Sequence, residues 1–98
     1  MEKRTPHCKL AIVKGLVEQG KLRVTRSAIE GATLLGLDQD DIERTIMNLK
    51  SSDFYKSMTT YADHNIWQDV YRPNTSSADI YLKLTVVEDV LVISFKEL

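Results

Sequence analysis

The sequence predicts an α+β fold in which N-terminal helices pack on an antiparallel β-sheet meander. Three observations lead there. Up to about residue 50 the apolar residues recur at helical spacing, and after Ser51-Ser52 they alternate with a period of two. Residues 53–72 are aromatic and β-branched with a polar break at Ala62-Asp63-His64-Asn65, which reads as strand, turn, strand. Residues 80–86 and 90–96 form two alternating runs whose apolar members oppose one another around Val87-Glu88-Asp89.

Taken in order, Thr5-Pro6 provides an N-cap and a first-turn proline, so a first helix is expected from there to Gly20. Leu10, Val13, Leu16 and Val17 are its apolar stripe, and Lys9, Lys14 and Glu18 its wet side. Gly15 within that helix costs roughly 1 kcal/mol against Ala, which suggests close packing there. His7 is expected in the first turn as a surface residue. A second, short helix has two competing starts, Thr25 stapling Val24 to Ile29 or Ser27 boxed with Glu30, and Leu34 and Leu35 are its expected buried end before Gly36. The third helix is capped by Asp38 with Asp41 at the third position, and buries Ile42, Ile46 and Leu49.

If Glu88-Asp89 is a two-residue turn, Val87 pairs with Val90, Val86 with Leu91, Leu84 with Ile93 and Leu82 with Phe95. The same register sets Tyr81 opposite Lys96, and Lys83 beside Ser94, on the other face. Together with the preceding hairpin this gives about four strands, one face on the helices and the other left open.

Composition excludes several classes. With 98 residues, 43% hydrophobic and 28% charged, one ordinary globular domain over residues 1–98 is expected. No apolar run approaches the ~20 residues of a membrane span, and no signal-like leader opens the chain, so the expected compartment is the cytoplasm. Cys8 is the sole cysteine, which leaves no internal disulfide and no Cys-based zinc cluster. The net charge of −1 is unevenly spread, with +5 on residues 1–26 and −3 on each of 27–50 and 51–98. A positive N-terminal quarter can steer a polyanion, or can simply be the solvated side of the first helix.

No nucleophile motif, phosphate loop, dinucleotide fingerprint or metal-ligand spacing is present. What remains is Lys, Tyr, Gln and Arg on an open sheet face with aromatics. That set suits metal-free phosphodiester cleavage, in which a base takes the ribose 2′-OH proton, cations hold the phosphate and an acid protonates the leaving oxygen. Aromatics such as Tyr55 would stack on unpaired bases. The plainer alternative makes Lys56 and Lys96 gatekeepers against edge aggregation and Tyr81 an ordinary strand residue.

The strings Asp53-Phe-Tyr-Lys-Ser-Met-Thr-Thr-Tyr, Asp63-His, Trp67-Gln-Asp-Val-Tyr-Arg-Pro and Asp89-Val-Leu-Val-Ile-Ser-Phe-Lys-Glu move this balance. With Met1-Glu-Lys-Arg-Thr-Pro-His and Thr25-Arg-Ser-Ala, they make the whole chain resemble the motility quorum-sensing regulator (MqsR) toxins of bacterial toxin–antitoxin pairs. The resemblance implies a RelE-like fold and a sequence-specific endoribonuclease that cuts mRNA at GC-containing triplets such as GCU, without a cofactor. It implies Lys56, Gln68, Tyr81 and Lys96 as active residues. Lys56 and Lys96 would hold phosphate, Tyr81 would move a proton and Gln68 would position ribose or base. Tyr55, Met58 and Arg72 are the expected substrate contacts. The implied partner is a cognate antitoxin with a zinc-binding N-terminal part and a helix-turn-helix part, so that operator DNA is reached only through it. The chain departs from the family's basic balance, with a pI of about 6.1, and carries an acid at Glu88; this implies weaker or more salt-sensitive RNA binding. Two rival readings are a catalytically dead co-repressor module and a small nucleic-acid-binding regulator that uses Lys9 and Lys14.

Overall fold

The alternation after Ser52 becomes four consecutive antiparallel strands, β3 (Phe54–Thr59), β4 (Trp67–Tyr71), β5 (Ile80–Val87) and β6 (Asp89–Glu97), in the computed structural model, which describes residues Met1–Leu98. Two short strands widen this meander to six in the order β1-β3-β4-β5-β6-β2. β1 (Glu2–Lys3) runs antiparallel to β3, and β2 (Leu22–Val24) runs parallel to β6. The sheet is therefore mixed rather than purely antiparallel. Strands of two and three residues are too short to show a period, so their partners, not their own sequence, define them.

Three helices, α1 (Leu10–Glu18), α2 (Arg26–Leu34) and α3 (Gln39–Met47), cover one face of the sheet, so the class is α+β. Val13, Val17, Ala28, Ala32, Ile42 and Ile46 from the helices meet Tyr71, Ile80, Leu82, Leu84, Val90, Val92 and Phe95 from the sheet in one core. No helix is long and apolar enough to cross a membrane.

α3 follows its sequence signals. Asp38 accepts from the Asp41 amide at 3.0 Å while Asp41 accepts from the Asp38 amide at 2.9 Å, closing the capping box. α1 begins four residues later than Pro6 would have it. The backbone amides of His7 and Cys8 donate to the two carboxylate oxygens of Asp69 at 3.0 and 3.1 Å, and this tertiary clamp holds residues before Lys9 out of the helix. His7 consequently stacks on Trp67, with ring centroids 5.6 Å apart, instead of occupying a first turn. Nor is all of the expected wet side of α1 wet, because Lys14 Nζ donates to the Leu49 carbonyl at 2.6 Å.

For α2 the Thr25 start is the one used: its hydroxyl accepts from the Ala28 amide at 3.1 Å and donates to the Ile93 carbonyl at 2.9 Å. The buried residues of α2 are Ala28 and Ala32, whereas Leu34 is 89% exposed and Leu35 half-buried. Small residues are required because α2 lies close on β6. A Cβ added at Gly31 would stand well inside contact distance of the Phe95 carbonyl oxygen and 3.3 Å from Lys96 Cβ. Close packing is thus the property of Gly31, while nothing lies within 4 Å of a Cβ at Gly15.

The β5–β6 ladder holds the expected register in its inner half, with Leu82 opposite Phe95, Lys83 opposite Ser94 and Tyr81 opposite Lys96. Nearer the tip it is shifted by one: Leu84 faces Val92, Val86 faces Val90 and Val87 faces Asp89. Glu88 alone makes the turn, at φ +67°, and a bulge on β6 opposite Lys83 and Leu84 absorbs the difference, with Ile93 as its extra residue. The shift brings Val90 and Val92, both fully buried, onto the core face.

Candidate active face

Residues directly opposed across a ladder share a face, and alternate residues along a strand do too. Leu82 and Leu84 mark the helix side, so Tyr81 and Lys83 point away from it, with Lys96 and Ser94 opposite them. Across β4, Val70 opposes Lys83 and Lys56 opposes Val70, while Met58 opposes Gln68. The open face therefore gathers Lys56 and Met58 from β3, Gln68 from β4, Tyr81 and Lys83 from β5, and Lys96 from β6. All four expected active residues and Met58 come together there.

At the middle of this face lies Val70, which is 0% exposed yet outside the main core. Its cross-strand neighbours are Lys56 and Lys83, whose aliphatic stems can cover it while their ammonium groups reach water. An apolar floor under two lysines holds the cations up toward whatever lies on the sheet. Lys96 Nζ sits 5.3 Å from the centroid of the Tyr81 ring, a cation–π contact that keeps phenol and ammonium adjacent.

Tyr55 reaches the same region by a bulge. The β3–β4 ladder pairs Phe54 with Tyr71 and then Lys56 with Val70, leaving Tyr55 as the extra residue. Its ring is ringed by cations: Arg72 Cζ at 4.6 Å, Arg4 Cζ at 5.4 Å and Lys56 Nζ at 5.5 Å from the centroid. A shallow depression of about 370 Å³ adjoins Tyr55 and Arg72, and Asp53 and Asp79 also line it. A second cleft, of about 490 Å³, lies elsewhere, between the end of α3 and residues 73–77, and none of Lys56, Gln68, Tyr81 and Lys96 lines it.

The rest of the aromatic stretch divides differently from expectation. Trp67 lies on the helix-side face against His7, with Lys3 Nζ 4.2 Å from its ring centroid, and Tyr71 is fully buried in the core. Tyr61 stands in the β3–β4 loop, fully exposed. Only Tyr55 of this stretch presents a ring to the open face.

Electrostatically the lysines are not equivalent. A hydrogen bond from Lys56 to Glu2, at 2.5 Å, pushes the Lys56 ammonium above the ordinary lysine range; burial opposes it in part, and the charge of Glu2, then Tyr55 and Tyr81, add to it. The same bond holds the Glu2 carboxyl below its usual range. Lys83 goes the other way: burial lowers it first, and the like charge of Lys96 adds. Lys56 is thus a fixed cation, suited to phosphate rather than to proton removal. No three His, Cys, Asp or Glu side chains converge anywhere in the chain as a metal site would need. Sequence reasoning missed Glu2, which has no signal of its own. Alternation along β5 did place Lys83 on this face, opposite Ser94, but Lys83 was not among the expected site residues.

The family model described as motility quorum-sensing regulator, toxin of MqsA, matches residues 5–97. The mRNA interferase toxin MqsR of Escherichia coli (strain K12) is 60% identical over 97 residues, which are 99% of each chain. On both counts, this chain belongs to the MqsR toxin family.

Proposed function

We propose that the chain is the toxin of a toxin–antitoxin pair and acts as an endoribonuclease on single-stranded mRNA, with its active site on the open face of the sheet. The observation that carries this reading is the convergence of Lys56, Gln68, Tyr81 and Lys96, from four different strands, around the buried Val70. Membership of the MqsR family, and a relative named an mRNA interferase, support it.

In this reaction the ribose 2′-oxygen attacks the adjacent phosphorus and gives up its proton, and the 5′-oxygen leaves and takes one. The product is a 2′,3′-cyclic phosphate, and no water or metal is consumed. Lys56, kept charged by Glu2, and Lys96 clamp the non-bridging oxygens as negative charge builds. Tyr81, with Lys96 beside its ring, moves the proton, and Gln68 orients the ribose or base. Tyr55 stacks on a base, Arg72 and Met58 flank it, and the depression beside Tyr55 accommodates a neighbouring nucleotide. Reading GC-containing triplets such as GCU falls to this part of the face. The 98 residues work as one domain. The partner is a zinc-binding, helix-turn-helix antitoxin, and operator DNA is reached only through it.

The reading that makes α1 the nucleic-acid reader has less support, since Lys14 is engaged by the Leu49 carbonyl. The test incubates the protein, with EDTA, with a single-stranded RNA holding several GCU sites, beside a Lys56→Ala/Lys96→Ala variant. Discrete cuts by the wild type alone, ending in cyclic phosphate, are expected. Intact RNA in both lanes, with binding retained, would replace the enzyme by a binding module.

A further inference from the structure

β1 has two residues, and they point to opposite faces. Lys3 opposes Ser57 and lies over Trp67 on the helix side, whereas Glu2 opposes Met58 and so lies on the open face. There its Oε1 accepts from Lys56 Nζ at 2.5 Å. The chain has only two other ion pairs, both within helices, so Lys83, Lys96, Arg4 and Arg72 have no carboxylate partner. One cation of a phosphate-binding face is neutralised in the free protein, and the others are not.

Glu2 is not at a loose end. The Thr59 amide donates to the Met1 carbonyl at 3.0 Å, and Asp69 grips His7 and Cys8 just downstream. With the strand held on both sides, the backbone sets Glu2 beside Lys56, whose side chain is 21% exposed against 53% for Glu2. A carboxylate on such a face repels RNA, so its presence there lowers affinity. It also removes the rotameric freedom of a long lysine, which otherwise has to be ordered at the moment of reaction.

We propose that Glu2 is a positioning residue of the active face, whose carboxylate aims the Lys56 ammonium and competes with RNA phosphate for it. This rests on the ribonuclease reading above. The two effects have opposite signs, and that gives the proposal its signature: Glu2 weakens RNA binding and speeds cleavage.

The test uses the full chain with Glu2→Gln, which keeps the shape and removes the charge, alongside Lys56→Met and the double variant. RNA binding is measured by anisotropy over a range of salt, and cleavage under single-turnover conditions at saturating RNA. For E2Q, binding tightens by up to about fivefold. The slope of log affinity against log salt steepens by about 0.7 as Lys56 gains a phosphate. The cleavage rate falls by about tenfold, as a misaimed group should cause. In the K56M background, E2Q leaves the salt slope and the residual cleavage rate unchanged and tightens binding by less than it does beside Lys56, because only the direct repulsion of phosphate is removed. Wild-type binding and rate in E2Q, beside an inactive K56M, would overturn the role of Glu2 and leave the active face standing. Persistence of the full E2Q effects without Lys56 would overturn it too, as would weaker binding together with slower cleavage, which would mean that β1 had detached. Full cleavage by K56M would remove the active-face assignment itself, and this inference with it.

Discussion

Asp69 is the residue on which the N-terminal arm depends, and Asp69→Ala is the perturbation that tests it. The carboxylate is 2% exposed and takes the His7 amide on one oxygen and the Cys8 amide on the other. Hydrogen bonds to a charged acceptor contribute about 1.5–3 kcal/mol each. The burial of the charge offsets part of that, and the freed amide of exposed His7 can turn to water. A net loss of about 2–3 kcal/mol is therefore expected. For a domain of this size that lowers Tm by roughly 10–20 °C, since each 1 kcal/mol moves it about 4–8 °C. Urea denaturation gives the stability, and hydrogen exchange gives the location. The Thr59 amide, bonded to the Met1 carbonyl, should lose protection, while amides in the β5–β6 ladder change only with global stability. RNA cleavage should fall as well, because Glu2 leaves Lys56 when β1 leaves β3. A loss below about 0.5 kcal/mol with Thr59 still protected would refute the clamp, and with it the explanation of why α1 starts late.

Two further substitutions probe the packing behind the face. Gly31→Ala would gain about 1 kcal/mol of helix propensity, but the added Cβ collides with the Phe95 backbone, so a net destabilisation of about 1–3 kcal/mol is expected in thermal unfolding. Because that collision adjoins Lys96, cleavage should drop more than for a core variant of equal stability placed away from β6. Tyr71 is fully buried, its hydroxyl has no hydrogen-bond partner in the protein, and burial, with Asp69 and Cys8 nearby, pushes its ionisation up to about 12. A phenol that ionises near 10 when unfolded and near 12 when folded adds stability that is complete below pH 10 and is lost as pH rises from 10 to 12. Tyr71→Phe should be neutral to about 1 kcal/mol stabilising at pH 7, and should flatten the stability curve between pH 10 and 12. An unchanged alkaline limb in that variant would exclude Tyr71 as its source.

What could be read from the sequence followed from contacts local in the chain. The α3 capping box lies within four residues, and the Tyr81–Lys96 pairing follows from one hairpin, so both were legible. The late start of α1 was not, because Thr5-Pro6 is a sound local cap overruled by Asp69, more than 60 residues away. Leu34 was misassigned for a similar reason. It is apolar at the end of a helix whose contact with β6 admits only Ala28, Gly31 and Ala32, so the larger residue is left outside. The tip of the last hairpin offered two registers with apolar residues opposed in each. Alternation could not separate Leu84–Ile93 from Leu84–Val92, and only the single-residue turn at Glu88 decides.

The site survived that ambiguity because of where the bulges fall. A slip of one residue moves every side chain of a strand to the opposite face, so an unbroken shift would have sent Lys96 into the core and Phe95 onto the open face. The irregularity at Ile93 confines the shift to the tip, and Thr25, whose hydroxyl bonds the Ile93 carbonyl, fixes the irregularity to the cap of α2. Below it, Tyr81, Lys83 and Lys96 keep their places whatever the turn does. The second bulge, at Tyr55, does the converse job on β3: it lets Phe54 remain edge-on to Tyr71 in the core, 5.5 Å between centroids, while Tyr55 and Lys56 both turn to the open face. Two consecutive residues of a regular strand could not share a face. The departures from regular pairing are therefore what place an aromatic ring and a cation side by side, within reach of one nucleotide.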